Sequence, residues 1–238
     1  MTAFVQPATT SPRASATASP SRGGADGSRF PLPTAEIERI AASVLAAAKA
    51  GGASAAETDV SQAVGQSVTV RRGEVETVAY NRAKGIGVTV YLGQRRGHAS
   101  TADFSADAVH AAVGKALAIA RFTAEDPAAG LADPDRLARI IPDLDLFDPW
   151  ELTVEEAIAL GCDAEAAALA VDRRLTNTEG ATVAWSESEF VYANTHGFLG
   201  GYRSTRHHID CSVIGDPGDG GAMQRDYWYT AGRGATDL

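Results

Sequence analysis

The sequence predicts an α+β fold: an antiparallel meander sheet covered by helices, followed by the start of a β-rich second domain. Two observations carry this. From Ser67 to Thr101, apolar and polar residues alternate and short glycine turns interrupt them, the signal of strands that return antiparallel. On either side, apolar residues recur at helical spacing, which gives each flanking helix one face to lay on a sheet. Such a sheet buries one face and leaves the other wet or covered by a partner.

Residues 1–33 are rich in Ala, Ser, Thr, Pro and Gly with few large apolar side chains. They bury too little to offset their ordering entropy and read as a disordered extension. Arg13, Arg22 and Arg29 against Asp26 admit a transit peptide, but the composition favours a plain tail.

The N-terminal α+β domain is expected over residues 34–180. Thr34 is placed to cap a first helix, with Glu36 in its first turn. Ile37, Ile40, Ala41, Val44, Leu45 and Ala48 form its apolar stripe, and Gly51-Gly52 ends it. Ala55 to Val64 reads as a strand leading into the meander. Val68 and Val70 lie on one face, Arg71 to Glu74 turns, and Glu74 to Tyr80 returns. Ile86 to Leu92 reads as a third strand, and Gln94 to Gly97 turns into a fourth. Ser105 caps a second helix whose core face is Val109, Val113, Ala116, Leu117 and Ala120. Both helices are expected on one side of the sheet.

Thr123 to Pro149 is a Pro- and Asp-rich connector. Its Asp143-to-Glu151 stretch lacks the tight, glycine-centred carboxylate spacing of a calcium loop, and reads as a surface connector pinned by Leu144, Phe147 and Trp150. Thr153-x-x-Glu156 is a capping box that starts a helix at Val154. Ala157, Leu160, Ala164, Ala167, Ala168 and Val171 share its expected buried face. The β-rich part is expected over residues 181–238, as the truncated beginning of a second domain. Its strands run from Thr182 to Asn194, Gly200 to Ile214 and Ala222 to Thr230, with turns at Thr195-His196-Gly197 and at Gly215 to Gly221.

Bulk properties exclude several functions. The formal charge is -9 over 238 residues, so no basic face points to nucleic acid. Cys162 and Cys211 are the whole cysteine complement, which makes no disulfide framework and fits a reduced cytoplasmic setting. No apolar run approaches the ~20 residues that span a bilayer.

No catalytic, cofactor-binding or metal-ligating residue is assigned from motifs. The histidines His98, His110, His196, His207 and His208 lack the one-turn spacing of a zinc-peptidase helix. His207 and His208 are adjacent in a strand and point to opposite faces. There is no G-x-S-x-G elbow and no phosphate loop. Gly85-x-Gly87 opens a strand and lacks the third glycine of a dinucleotide site. Ser186 and Ser188, between Glu187 and Glu189, read as a polar strand face. Gly200-Gly201 reads as a bend or bulge that permits close backbone approach. Arg203, Arg206 and His208, beside Tyr202, stand at near-alternate spacing and could meet an acidic partner, although a solvated face explains them as well. Tyr227-Trp228-Tyr229 suits either a binding surface or core packing.

Three segments together resemble the PmbA (TldE) branch of the TldD/PmbA peptidase family: Gly85 to Ser105, Asn177 to Ile214 and Met223 to Arg233, with a connector ending in FDPWELT. The resemblance runs from about Thr34 to the end of the chain. It implies an α+β domain followed by a β-rich one, in a cytoplasmic assembly of TldD and PmbA subunits. That assembly is a zinc metallopeptidase for unfolded or flexible peptides, including precursors of modified peptides and antitoxins. In the family the zinc ligands lie on TldD, in an H-E-x-x-x-H motif that PmbA-type subunits lack; the PmbA-like sequence from Asn177 onward therefore implies a non-catalytic subunit that holds no cofactor and works with a TldD-type partner. The family's other label, modulator of DNA gyrase, implies instead a non-enzymatic protein-interaction module.

Overall fold

A computed structural model describes residues 29–238. It holds three helices, α1 (Thr34–Ala50), α2 (Ala106–Phe122) and α3 (Val154–Leu169), and six strands. The strands are β1 (Ala55–Arg71), β2 (Glu74–Leu92), β3 (Arg95–Thr101), β4 (Leu175–Asn194), β5 (Leu199–Gly215) and β6 (Gln224–Gly232). They form one antiparallel sheet in the order β3-β2-β1-β4-β5-β6. The expected domain boundary at 180/181 falls inside β4, and β4 pairs directly with β1 from Glu57↔Asn194 to Val70↔Ala181. The expected extension over 1–33 lies outside the described residues except for 29–33.

The expected break between Tyr80 and Ile86 does not occur. β2 stays paired with β1 without interruption from Gln66↔Tyr80 to Val60↔Ile86. Gly87 is there for space rather than for a turn: a Cβ on it would sit 2.3 Å from Asp59 Oδ1. β1 is likewise one strand through Gly65. The reversal into β3 uses Gly93, at φ 61°. Gly97 lies within β3, where a Cβ would come 2.0 Å from the Ala116 carbonyl oxygen of α2.

One face of the sheet carries two apolar cores. The larger lies under α1 and α2, where Ile37, Val44, Val113 and Leu117 meet Val60, Ile86, Val88 and Val191. The smaller lies under α3, where Ala157 meets Val68, Val70, Ala181 and Val183, with Trp150 packed alongside. Ser105 caps α2 through the amide of Ala108, and Thr153 with Glu156 closes the capping box of α3. Of the connector residues expected to pin, Phe147 packs against Phe30 and Trp150 against His207, while Leu144 is exposed.

The fully buried residues of α3 are Ala157, Gly161 and Glu165; of the expected stripe, Ala157 is buried and Leu160 and Ala164 pack partly buried against the core, while Ala167 is exposed and Val171 lies exposed beyond the helix end. Gly161 fits because a Cβ there would come 2.9 Å from Val70 Cγ2. Glu165 is buried because it holds the β1–β2 turn, accepting from the amides of Arg72 and Gly73 at 2.8 Å each. Those two residues sit at φ 54° and 74°, the left-handed pair that a two-residue hairpin demands.

Between the two cores runs a buried polar band. Glu187 and Glu189 on β4 and Gln62 on β1 are all buried, while Ser186 and Ser188 between them form the polar face expected, on the other side of the strand. Arg29 pairs with Glu187, donates to the Trp150 carbonyl and lies 4.4 Å over the Trp185 ring. Arg203 donates to Glu189 at 3.1 Å. Gln62 donates to Glu189 at 2.6 Å and also pairs with both main-chain groups of Leu32. Thr34 is drawn into the same network, donating to Glu189 at 2.5 Å, so Pro33 rather than Thr34 is the N-cap of α1. Residues 29–34 and the end of the connector therefore roof the band with matched charges, as buried carboxylates require.

Two outcomes follow for stability, each read by denaturant unfolding. Gly97→Ala should cost about 1–3 kcal/mol, because α2 must move off β3 to admit the methyl group. Arg29→Ala strands the buried Glu187 carboxylate and should cost about 3 kcal/mol, whereas the double change Arg29→Met with Glu187→Leu should cost less than Arg29→Ala alone.

Candidate functional site

The other face of the sheet carries the strand positions that alternate with the cores. Ala63, Gly65, Ser67, Ala83, Ala184 and Ser186 line a shallow depression on it, with Asn81 and His208 at the rim. Their small side chains leave the backbone close to the surface there. Gly201 pairs with Val191 on the covered face, where a Cβ would lie 2.0 Å from the Phe190 carbonyl oxygen. Gly200 instead gives room to Ile141 of the connector.

Strand parity divides the candidates on β5. Arg206 and His208 pair with Ser186 and Ala184, and Tyr202 pairs with Phe190, so they share the open face. Arg203, Thr205 and His207 fall on the covered face. The expected set of Arg203, Arg206 and His208 is therefore split, because odd and even positions of one strand point oppositely. His207 Nε2 donates to the Asp148 carbonyl across 2.8 Å, a bond that fixes its proton on Nε2. His208 lies 3.8 Å from Asp210. Burial raises the Asp210 carboxyl above its ordinary range, and His208 pulls it partly back. Ser186 and Ser188 hydrogen-bond to β5 at the Arg206 and Ser204 carbonyls, as cross-strand partners and not as nucleophiles.

The open face ends at β6, the outermost strand on this side. Tyr227 and Tyr229 pair with Ser212 and Asp210 and so project onto the open face. Trp228 pairs with Cys211 and projects the other way. All three are exposed, at 59%, 57% and 81%, which decides between the two expected readings in favour of a surface. A β6 edge carries main-chain donors and acceptors outward between those rings. This aromatic edge is the feature of the chain best suited to hold an extended ligand.

The remaining histidines are scattered. His98 meets Thr89, His110 meets the Ala106 carbonyl, and His196 meets the Ala132 carbonyl. Among the described residues, no three His, Cys, Asp or Glu side chains come together as a metal site. Glu187 and Glu189 are already bound by arginines. The described residues therefore offer no ligand set that fits a zinc ion.

Comparison with known proteins accounts for this architecture. Residues 56–120 match the family model described as PmbA/TldA metallopeptidase domain 1, and residues 147–238 match its central domain. The unmatched interval is the connector. The metalloprotease PmbA of Escherichia coli O157:H7 is 47% identical over 194 residues, covering 82% of this chain and 42% of that protein. The PmbA homologue of Haemophilus influenzae is 41% identical, over 82% of this chain and 43% of its own length. The chain thus spans less than half the length of these curated relatives. Two solved structures share the fold. A Bacteroides thetaiotaomicron protein described as a candidate modulator of DNA gyrase superposes with TM-score 0.77 at 24% identity, over 85% of this chain and 46% of that one. TldE from Thermococcus kodakarensis superposes with TM-score 0.59 at 13% identity, over 82% and 43%. On the strength of the two domain matches and the PmbA relatives, the chain belongs to the PmbA/TldD metallopeptidase family.

Proposed function

We propose that this chain is the peptide-engaging part of a PmbA-type subunit, which works beside a zinc-bearing TldD-type partner in a cytoplasmic peptidase for unfolded or flexible peptides. The observation that carries this reading is the β6 edge, unpaired among the described residues, with its exposed Tyr227, Trp228 and Tyr229. An extended peptide added to that edge gains main-chain hydrogen bonds that demand little of its sequence, and the aromatic rings supply contact area on both faces. Pairing there needs an extended segment with free main-chain groups, which favours an unfolded or flexible substrate. Family membership and the PmbA relatives support a peptidase context. In this reading hydrolysis belongs to the partner, and this subunit binds and aligns the peptide.

A second reading, a non-enzymatic interaction module such as a gyrase modulator, uses the same exposed edge. The description of the Bacteroides structural neighbour favours it. Co-purification of a metallopeptidase subunit separates the two.

Replacing Tyr227, Trp228 and Tyr229 together by Ser should raise KM for an unstructured peptide about tenfold in the assembled peptidase, with kcat within about twofold, since binding hot spots of this type lose ~1–2 kcal/mol on truncation. An unchanged KM, in a variant with wild-type unfolding behaviour, removes the β6 edge from substrate binding.

A further inference from the structure

The sheet has a second free edge, away from β6. β3 pairs with β2 only from Ile86 to Leu92. Below Ile86, β2 is bonded to β1 on one side, and among the described residues no strand pairs with its other side. Val75, Val78 and Tyr80 are 46%, 39% and 67% exposed along it. An unpaired edge of this length with apolar side chains along it templates another strand, and charges along it restrict which strand can pair. The register shift leaves Glu76 as the extra residue opposite Thr69 and Val70, so the bulge falls at the acidic end of this edge and leaves Thr77 to Lys84 regular.

The order of charges on this edge selects the other strand. It runs Glu74, Val75, Glu76, Thr77, Val78, Ala79, Tyr80, Asn81, Arg82, Ala83, Lys84, with acids at the start and bases at the end. Laid antiparallel on itself about Ala79, the strand puts Val78 opposite Tyr80, Thr77 opposite Asn81 and Glu76 opposite Arg82. Opposed residues then have the same parity, as antiparallel pairing requires. Just past the bulge, Glu74 comes to the end that carries Lys84. A parallel in-register pairing would instead set Glu76 on Glu76 and Arg82 on Arg82, which is destabilising. The present partners of these charges are loose ones: Glu76 is 3.9 Å from an exposed Arg71, and Lys84 Nζ lies 4.8 Å from the Phe104 ring centroid.

We infer that a second copy of this chain pairs here, β2 against β2, antiparallel about a twofold axis through Ala79. An isologous interface needs a self-complementary patch, and this edge is self-complementary in both charge and apolar contact. The association is independent of the β6 reading. About seven residues a side make a small interface, so the dimer is concentration-dependent.

Sedimentation of the chain over a range of concentrations tests this, with two charge-reversed variants, E74K/E76K and R82E/K84E. The wild type should self-associate, less so at high salt. Each variant alone should associate about tenfold more weakly or not at all, because like charges then face each other. An equimolar mixture of the two variants should recover the dimer, since the reversed acids of one then face the reversed bases of the other. That rescue also shows that both variants are folded. A wild type that stays monomeric at every concentration overturns the inference, as does a dimer indifferent to either reversal or a loss that mixing does not restore.

Discussion

The fold turns on two carboxylates that have left water. Glu187 and Glu189 stand two residues apart on β4, buried in the strip of sheet between the two apolar cores. An unpaired buried charge costs several kcal/mol, so each must be met. Arg29 meets one and Arg203 meets the other, and Gln62 and Thr34 complete the second. These partners come from the segment before α1, from β5 and from β1. The band thereby fixes where the chain enters the fold, how α1 begins and how the connector crosses back over the sheet at Trp150. It also explains why one sheet can carry two separate cores without a gap: the interval between them is polar, and each of its carboxylates is paired with an arginine.

Much of the architecture is written locally. The capping box at Thr153 and Glu156, the Ser105 cap and the core face of α2 each depend on residues within one or two turns, and the structure shows all three. The β1–β2 turn at Arg72-Gly73 is equally local. What escapes a local reading depends on distant partners. Ser186 to Glu189 alternates polar with charged, a pattern that looks wet from within β4. The burial of Glu187 within it depends on Arg29, 158 residues away. Glu165 looks like a helix surface residue until the hairpin amides arrive from 92 and 93 positions earlier. The continuity of β2 was hidden for a related reason. Residues 81–84 have no apolar alternation of their own, and their strand geometry is imposed by pairing with β1.

The candidate site was legible in composition but not in placement. Tyr227-Trp228-Tyr229 stands out as a cluster, yet only the sheet order reveals that its strand is an edge. Arg203, Arg206 and His208 look like a set until register separates them. No motif in the chain carries chemistry, and the structure places no zinc-like cluster among the described residues. What the described residues offer is surface: an aromatic edge on one flank and a charge-ordered edge on the other, joined by a sheet that a buried polar band keeps in shape. In the proposed reading, the aromatic edge holds and presents a peptide while a partner hydrolyses it.

The division of labour can be read in one experiment on the full-length protein, purified alone and then with a TldD-type partner, with zinc content and cleavage of an unstructured peptide measured in both samples. Zinc and cleavage that appear only with the partner are the predicted result. Stoichiometric zinc and cleavage by the protein alone would contradict it, and would place the hydrolytic centre on the PmbA-type subunit itself.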